Sequence, residues 1–184
     1  MNLFNLFSPK DFSENAQKIY AAVVSHARHP NFYLDFGVPD TPDGRFDMIL
    51  VHAFLVLRRL KRDVDKTAEL SQEVFDLMFA DVDQSLREMG IGDMGVGKRV
   101  RAMAEGFYGR VEAYEKGLAN DGKVLAEALE RNLYRKTSPT PTQTAAIADY
   151  IRDQARRLDS VDIDSLTAGN LGFGPPPARP EEPK

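Results

Sequence analysis

From Arg45 to Leu60 the chain reads RFDMILVHAFLVLRRL, and wound as a helix this stretch is apolar on two sides. Phe46, Ile49, Leu50, Ala53, Phe54, Leu57 and Leu60 recur at helical spacing, while Met48, His52, Leu55 and Arg59 form a second stripe roughly opposite. A helix apolar on both sides is one that other elements surround. The run is far shorter than the roughly 20 apolar residues that cross a bilayer, so it is predicted to be the core helix of a globular domain.

The rest of the pattern is also helical. A first helix is expected to open at Ser8-Pro9-Lys10-Asp11, where a serine cap, a proline at the first position and an acid agree, and to stop at His29-Pro30. The connection NFYLDFGVPDTPDGRF carries too many large apolar side chains for a solvated linker and is predicted to be a packed loop. Charges from Arg58 to Lys66 mark a turn, with Asp65 as cap of a third helix that reaches Met89 and ends on a left-handed Gly90 backed by Ile91.

A glycine loop, Gly90 to Gly97, then leads into a fourth helix with two different faces. Val96, Val100, Met103, Phe107, Val111, Tyr114 and Leu118 make a large-residue stripe, and Ala102, Gly106, Gly109, Ala113 and Gly117 make a small one opposite. Glycine inside a helix costs about 1 kcal/mol relative to alanine, so this smooth face implies close approach of another helix, from the same chain or from a partner. A fifth helix follows Asn120-Asp121-Gly122, and Thr137 to Thr142 is a stiff joint. A sixth, with weaker apolar content, is expected at the surface, and a short helical turn near Val161 to Ala168. The reading is an all-α single domain of about six or seven helices over residues 1–168, with a disordered Gly/Pro-rich tail over 169–184.

Composition narrows function by exclusion. With 184 residues and a net charge of −4 the chain is mildly acidic, which gives no support to nucleic-acid binding. It has no cysteine, so disulfides and thiolate metal sites are excluded. MNLFNLF lacks the basic and long apolar regions of an export signal, so a cytoplasmic protein is expected.

Candidate chemistry is sparse. Gly90 to Gly95 spells GxGxxG and Gly92 to Lys98 spells GxxxxGK, but each needs a preceding strand, and Arg99 stands where the second motif wants Ser or Thr. No nucleotide, metal or other cofactor is expected. His26 and His29 suit a helix C-terminus. His52, on the core helix, is expected to be a core histidine bonded to a carboxylate or carbonyl; the alternative is a small-molecule or haem pocket beside it. The basic residues Arg58, Arg59, Lys61, Arg62, Lys66, Lys98, Arg99 and Arg101 read as a solvated rim or as a face for anionic lipid.

Several short blocks in order resemble the ubiquinol-cytochrome c chaperone family, the assembly factors for cytochrome b of the respiratory bc1 complex. They are Asp43-Gly44-Arg45-Phe46, His52, Arg59-Leu60, Val74-Phe75, Met78 to Asp81, Leu86 to Gly90, Gly92-Asp93, Lys98 and Phe107-Tyr108-Gly109-Arg110. The resemblance implies an all-helical, non-enzymatic chaperone, here a bacterial member. Its client is expected to be newly made cytochrome b, handled with a small helper protein and in peripheral contact with the inner face of the cytoplasmic membrane. An apolar or smooth groove is what such a client needs. The expected partner-binding residues are Tyr33, Arg45, His52, Leu55, Arg59, Ala102, Gly106, Tyr108, Gly109 and Arg110, with Phe36 joining Tyr33 and Tyr108 in an aromatic rim.

Overall fold

Capping chemistry sets where each helix begins in the computed structural model, which describes residues 12–178. Ser13 accepts a hydrogen bond from the Ala16 amide at 3.3 Å and opens α1 (Glu14–Ala27). Phe12 therefore precedes the helix, and the expected opening at Ser8 to Asp11 lies outside the described residues. After a short α2 (Asn31–Leu34), Thr41 accepts from the Gly44 amide at 3.1 Å and Pro42 takes the first position of α3 (Pro42–Lys61).

The turn into α4 (Val64–Glu88) is tighter than the charge pattern suggested. Only Arg62 and Asp63 lie outside the two helices, and the Thr67 hydroxyl closes the corner by donating to the Leu60 carbonyl at 2.6 Å. Asp65 consequently sits in the first turn and does not cap it. At the far end Gly90 adopts φ +82°, its amide bonds to the Arg87 carbonyl and that of Ile91 to the Leu86 carbonyl. This pair of bonds is the Schellman arrangement, which a left-handed glycine permits.

The glycine loop is shorter than expected, because α5 (Asp93–Ala119) begins on Asp93 with Gly92 as its cap. Gly95 and Gly97 are thus helical. Asp121 caps α6 (Gly122–Asn132), a Thr140/Gln143 capping box opens α7 (Pro141–Ser160), and Asp162 caps α8 (Ile163–Thr167). Every regular element among the described residues is a helix, six of them long and two of a single turn or little more.

α3 is the hub. Fifteen of its 20 residues are buried, with α1 and α4 against it on one side and α7 on the other. α5 packs on α4 and, most closely, on α6. Gly117 explains that closeness, since a Cβ built there would stand 2.8 Å from the Leu125 Cα. The loop between α1 and α3 is packed as predicted through Phe32, Phe36 and Val38, all buried, whereas Leu34 is 80% exposed.

Two expectations fail for identifiable reasons. α7 is not a surface helix: Thr144, Ile147, Ala148, Tyr150, Ile151, Gln154, Ala155 and Leu158 are buried. Small and hydrogen-bonded polar side chains fill a helix interface as well as large apolar ones, so counting apolar residues understates it. The segment after α8 is also ordered to residue 178: Leu171 is 4% exposed, the Phe173 ring stacks on His26 with centroids 4.8 Å apart, and the Gly174 amide donates to Gln154 Oε1 at 2.7 Å. Glycine and proline here allow a strap that lies flat across α1 and α7.

Candidate docking surface

The second stripe of the core helix is enclosed. His52, Leu55 and Arg59 are 0%, 1% and 7% exposed, with α7 over them. His52 Nδ1 lies 2.9 Å from the Met48 carbonyl, which can only accept, so that nitrogen donates and Nε2 accepts from the Tyr150 hydroxyl at 2.8 Å. Burial pushes the imidazole down to about 4, the neighbouring His26 acting in the same direction. Both nitrogens are engaged in a closed core, which leaves no free lone pair for a haem iron. The Arg59 guanidinium reaches the end of α7, donating to the carbonyls of Leu158 at 3.1 Å and Val161 at 2.9 Å, a cation at a helix C-terminus. These three residues fasten α3 to α7 and are not available to a partner in this conformation.

The aromatic rim divides in the same way. Phe36 is fully buried. Tyr33 is half-buried, donates to the Ala27 carbonyl at 2.8 Å, and burial pushes its phenol up to about 12. Tyr108 is 36% exposed, resting on Phe75 and Phe107 with ring centroids 6.0 Å away in each case.

Arg110 is claimed by an internal contact that the sequence did not reveal. It lies 2.9 Å from Asp47 Oδ1, while Arg135 lies 2.7 Å from Oδ2. Asp47 is only 4% exposed, so burial raises its carboxyl above the usual range while the two guanidiniums oppose the shift. The clamp ties α3 to α5 and to the segment after α6. Its one sequence signal was an acid standing inside the apolar pattern of the core helix.

Ala102, Gly106 and Gly109 behave differently, because they form an open strip on the outer side of α5. Beyond the adjoining backbone of α5 itself, no described atom lies within 4 Å of a Cβ built on Gly106 or Gly109. Further along, the stripe closes: Ala113 is half-buried against the core and Gly117 is buried. Ala102 also belongs to an open cleft of about 800 Å³ between the start of α3, the end of α4 and the first half of α5. Phe46, Ile49, Val82, Leu86, Met89 and Met103 line it, with Arg28, Arg45 and Arg99 at its edges. Met89 is 53% exposed and Met94, in the adjoining hollow with Lys98 and Arg101, is 93% exposed. Met103 read from its spacing as core and Met89 only as the end of a helix, so neither stood out as surface in the sequence. Arg45 is exposed and paired with Asp40 at 2.6 Å.

The glycine motifs hold no phosphate-binding geometry, since α4 and not a strand precedes them and Gly95 and Gly97 are inside α5. Among the described residues no group of three or more His, Asp or Glu is placed to hold a metal ion, and no helix is long and apolar enough to cross a membrane.

Fold and surface together define an all-helical domain with one encased helix and one long helix left open along a smooth side. Residues 34–173 match the ubiquinol-cytochrome C chaperone family, and the chain belongs to it. It is 29% identical over 161 residues to the ubiquinol-cytochrome-c reductase complex assembly factor 1 of Xenopus laevis, covering 87% of this chain and 80% of that protein. The Homo sapiens protein of the same name is 27% identical over 161 residues, and there the match spans 54% of the human chain, about half its length. Among solved structures, the Cbp3 homolog from Brucella abortus superposes with a TM-score of 0.79 at 40% identity, covering 87% of this chain and 88% of that one, in accord with a bacterial member.

Proposed function

We propose that this protein is a non-enzymatic assembly chaperone that holds newly made cytochrome b during biogenesis of the bc1 complex. The client would lay an apolar helix along the outer side of α5, across Ala102, Gly106 and Gly109, with its flank against Met89 and Met103. The observation that carries this reading is the open space in front of two helical glycines. Each destabilises α5 by about 1 kcal/mol relative to alanine, and among the described residues nothing packs on the flat surface that results at these two positions. Helix partners that are themselves apolar associate through small-residue faces, where backbones approach closely. Exposed methionines adapt to an irregular apolar surface. Lys98, Arg99 and Arg101, all exposed, suit peripheral contact with anionic lipid at the inner face of the cytoplasmic membrane, and a small helper protein completes the assembly as it does by resemblance.

The test is recovery of cytochrome b from gently solubilised membranes with tagged wild-type protein and with Gly106→Leu/Gly109→Leu. Leucine fits the open strip and blocks helix approach, so the variant should fold, melt no lower than wild type because helix propensity improves, and recover little cytochrome b. Normal bc1 content in cells lacking the protein would refute the chaperone reading.

A further inference from the structure

On the flank of α5 away from the glycine strip, a second hollow opens between the end of α3, the start of α4 and the middle of α5. It holds about 390 Å³, inside the range of roughly 300–1,000 Å³ common to small-molecule sites. Phe54, Leu57 and Phe107 form its apolar floor, at 2%, 7% and 2% exposure. Val111 and Ala68 line its walls, and Val64 (52% exposed) and Tyr108 stand at the edges. Ser71 and Gln72, half-buried, complete the wall, and the buried floor itself offers no donor or acceptor to orient a polar ligand.

Charge gathers where α3 turns into α4. Arg58 is already neutralised there by Glu115 and Asp159, each at 3.3 Å. Lys61, also on the wall of the hollow, is exposed and makes no ion pair among the described residues. An apolar trough with a single uncommitted cation at its end matches a hydrocarbon chain that terminates in an anion. We propose that this hollow binds a free long-chain carboxylate, the chain lying along Phe54, Leu57, Phe107 and Val111 and the carboxylate meeting the Lys61 ammonium. This site is separate from the glycine strip and does not depend on the chaperone reading.

Tryptophan is absent from the sequence, so a fluorescent polyunsaturated carboxylate, cis-parinarate, reports binding to the full chain without interference. Saturable one-to-one binding is expected, displaced by saturated carboxylates whose competition strengthens by up to about fourfold per added methylene. Lys61→Gln should weaken the carboxylates roughly fivefold and leave the matching alcohols unchanged. Ala68→Phe, at an exposed helical position, should fill the trough and abolish binding while melting stays unchanged. Non-saturable binding, an alcohol that competes as well as its carboxylate, or wild-type affinity in folded Ala68→Phe would each overturn the proposal. Should Ala68→Phe fail to fold, Lys61→Gln decides alone, and unchanged carboxylate affinity there refutes it.

Discussion

Acid should loosen this protein through His52. The folded state keeps the imidazole neutral, down at about 4, because charging it would place an unsolvated cation between Met48 and Tyr150. The unfolded chain titrates at the ordinary value of 6.5. Between these values unfolding takes up a proton, so stability rises with pH across the window and is lost as the solution is acidified. At roughly 1.4 kcal/mol per unit the full gap is worth about 3 kcal/mol, and about 2–3 kcal/mol of it should be gone at about pH 4.5. Full burial of the ring means that solvent screening does not reduce this figure. The assay is urea unfolding followed by circular dichroism at about pH 7 and about pH 4.5, for wild type and for His52→Gln. Glutamine retains a donor and an acceptor but cannot be charged. His26 is lowered as well, and the carboxylates titrate too, yet both proteins share those groups and they cancel in the difference. The variant should be less stable at neutral pH and should lose about 2–3 kcal/mol less on acidification. Equal losses in the two proteins would refute a neutral buried His52.

Other perturbations separate what α5 does for the fold from what it leaves open. Gly109→Ala should stabilise by about 1 kcal/mol in thermal unfolding, since the methyl group meets nothing and helix propensity improves. Gly117→Val should destabilise by about 1–3 kcal/mol or more, because its Cβ would press on the backbone of Leu125 and force α6 away. Asp47→Ala should cost about 2–4 kcal/mol in urea unfolding, as Arg110 and Arg135 lose their shared carboxylate, with the exposure of Arg135 (40%) holding the figure below that of a fully buried pair. Tyr150→Phe should cost about 1–3 kcal/mol by leaving His52 Nε2 without a donor in the core.

What could be read from the chain followed periodicity and local capping. The double-sided stripe of Arg45 to Leu60 required an encased helix, and Gly90 followed by Ile91 required a left-handed end to α4; both depend on residues a few positions apart. What could not be read depends on pairs far apart in sequence. Asp47 meets Arg135, and His52 meets Tyr150, 98 residues away, so neither partner announces the other. The stripe of His52, Leu55 and Arg59 is equally consistent with a core seam and with a partner groove, because periodicity says that a face is covered without saying by what. The same ambiguity in the small-residue face of α5 resolves along its length, closed at Gly117 and open at Gly106 and Gly109.

That division carries a mechanical consequence. α5 is held by its large-residue face on α4, by Gly117 against α6 and by Arg110 on Asp47, so its open strip sits on a helix fixed along its length. A helix docking there loses little freedom on the chaperone side, since the surface it meets is already ordered. The cost of each glycine is instead met when α5 folds, and what it leaves for a partner is a surface that lets two helix backbones approach closely. A chaperone must also release its client. A flat strip without deep anchoring side chains favours that, because the packing it offers is spread over many weak contacts and lacks the buried aromatic or arginine anchors that slow dissociation. Replacing Ala102 by a large aromatic residue would test this directly: the client should either be excluded or, where the ring finds a place beside Met103, be held longer, and single-turnover release from crosslinker-free complexes would distinguish the two. An unchanged release rate together with unchanged recovery would place the client elsewhere on the molecule.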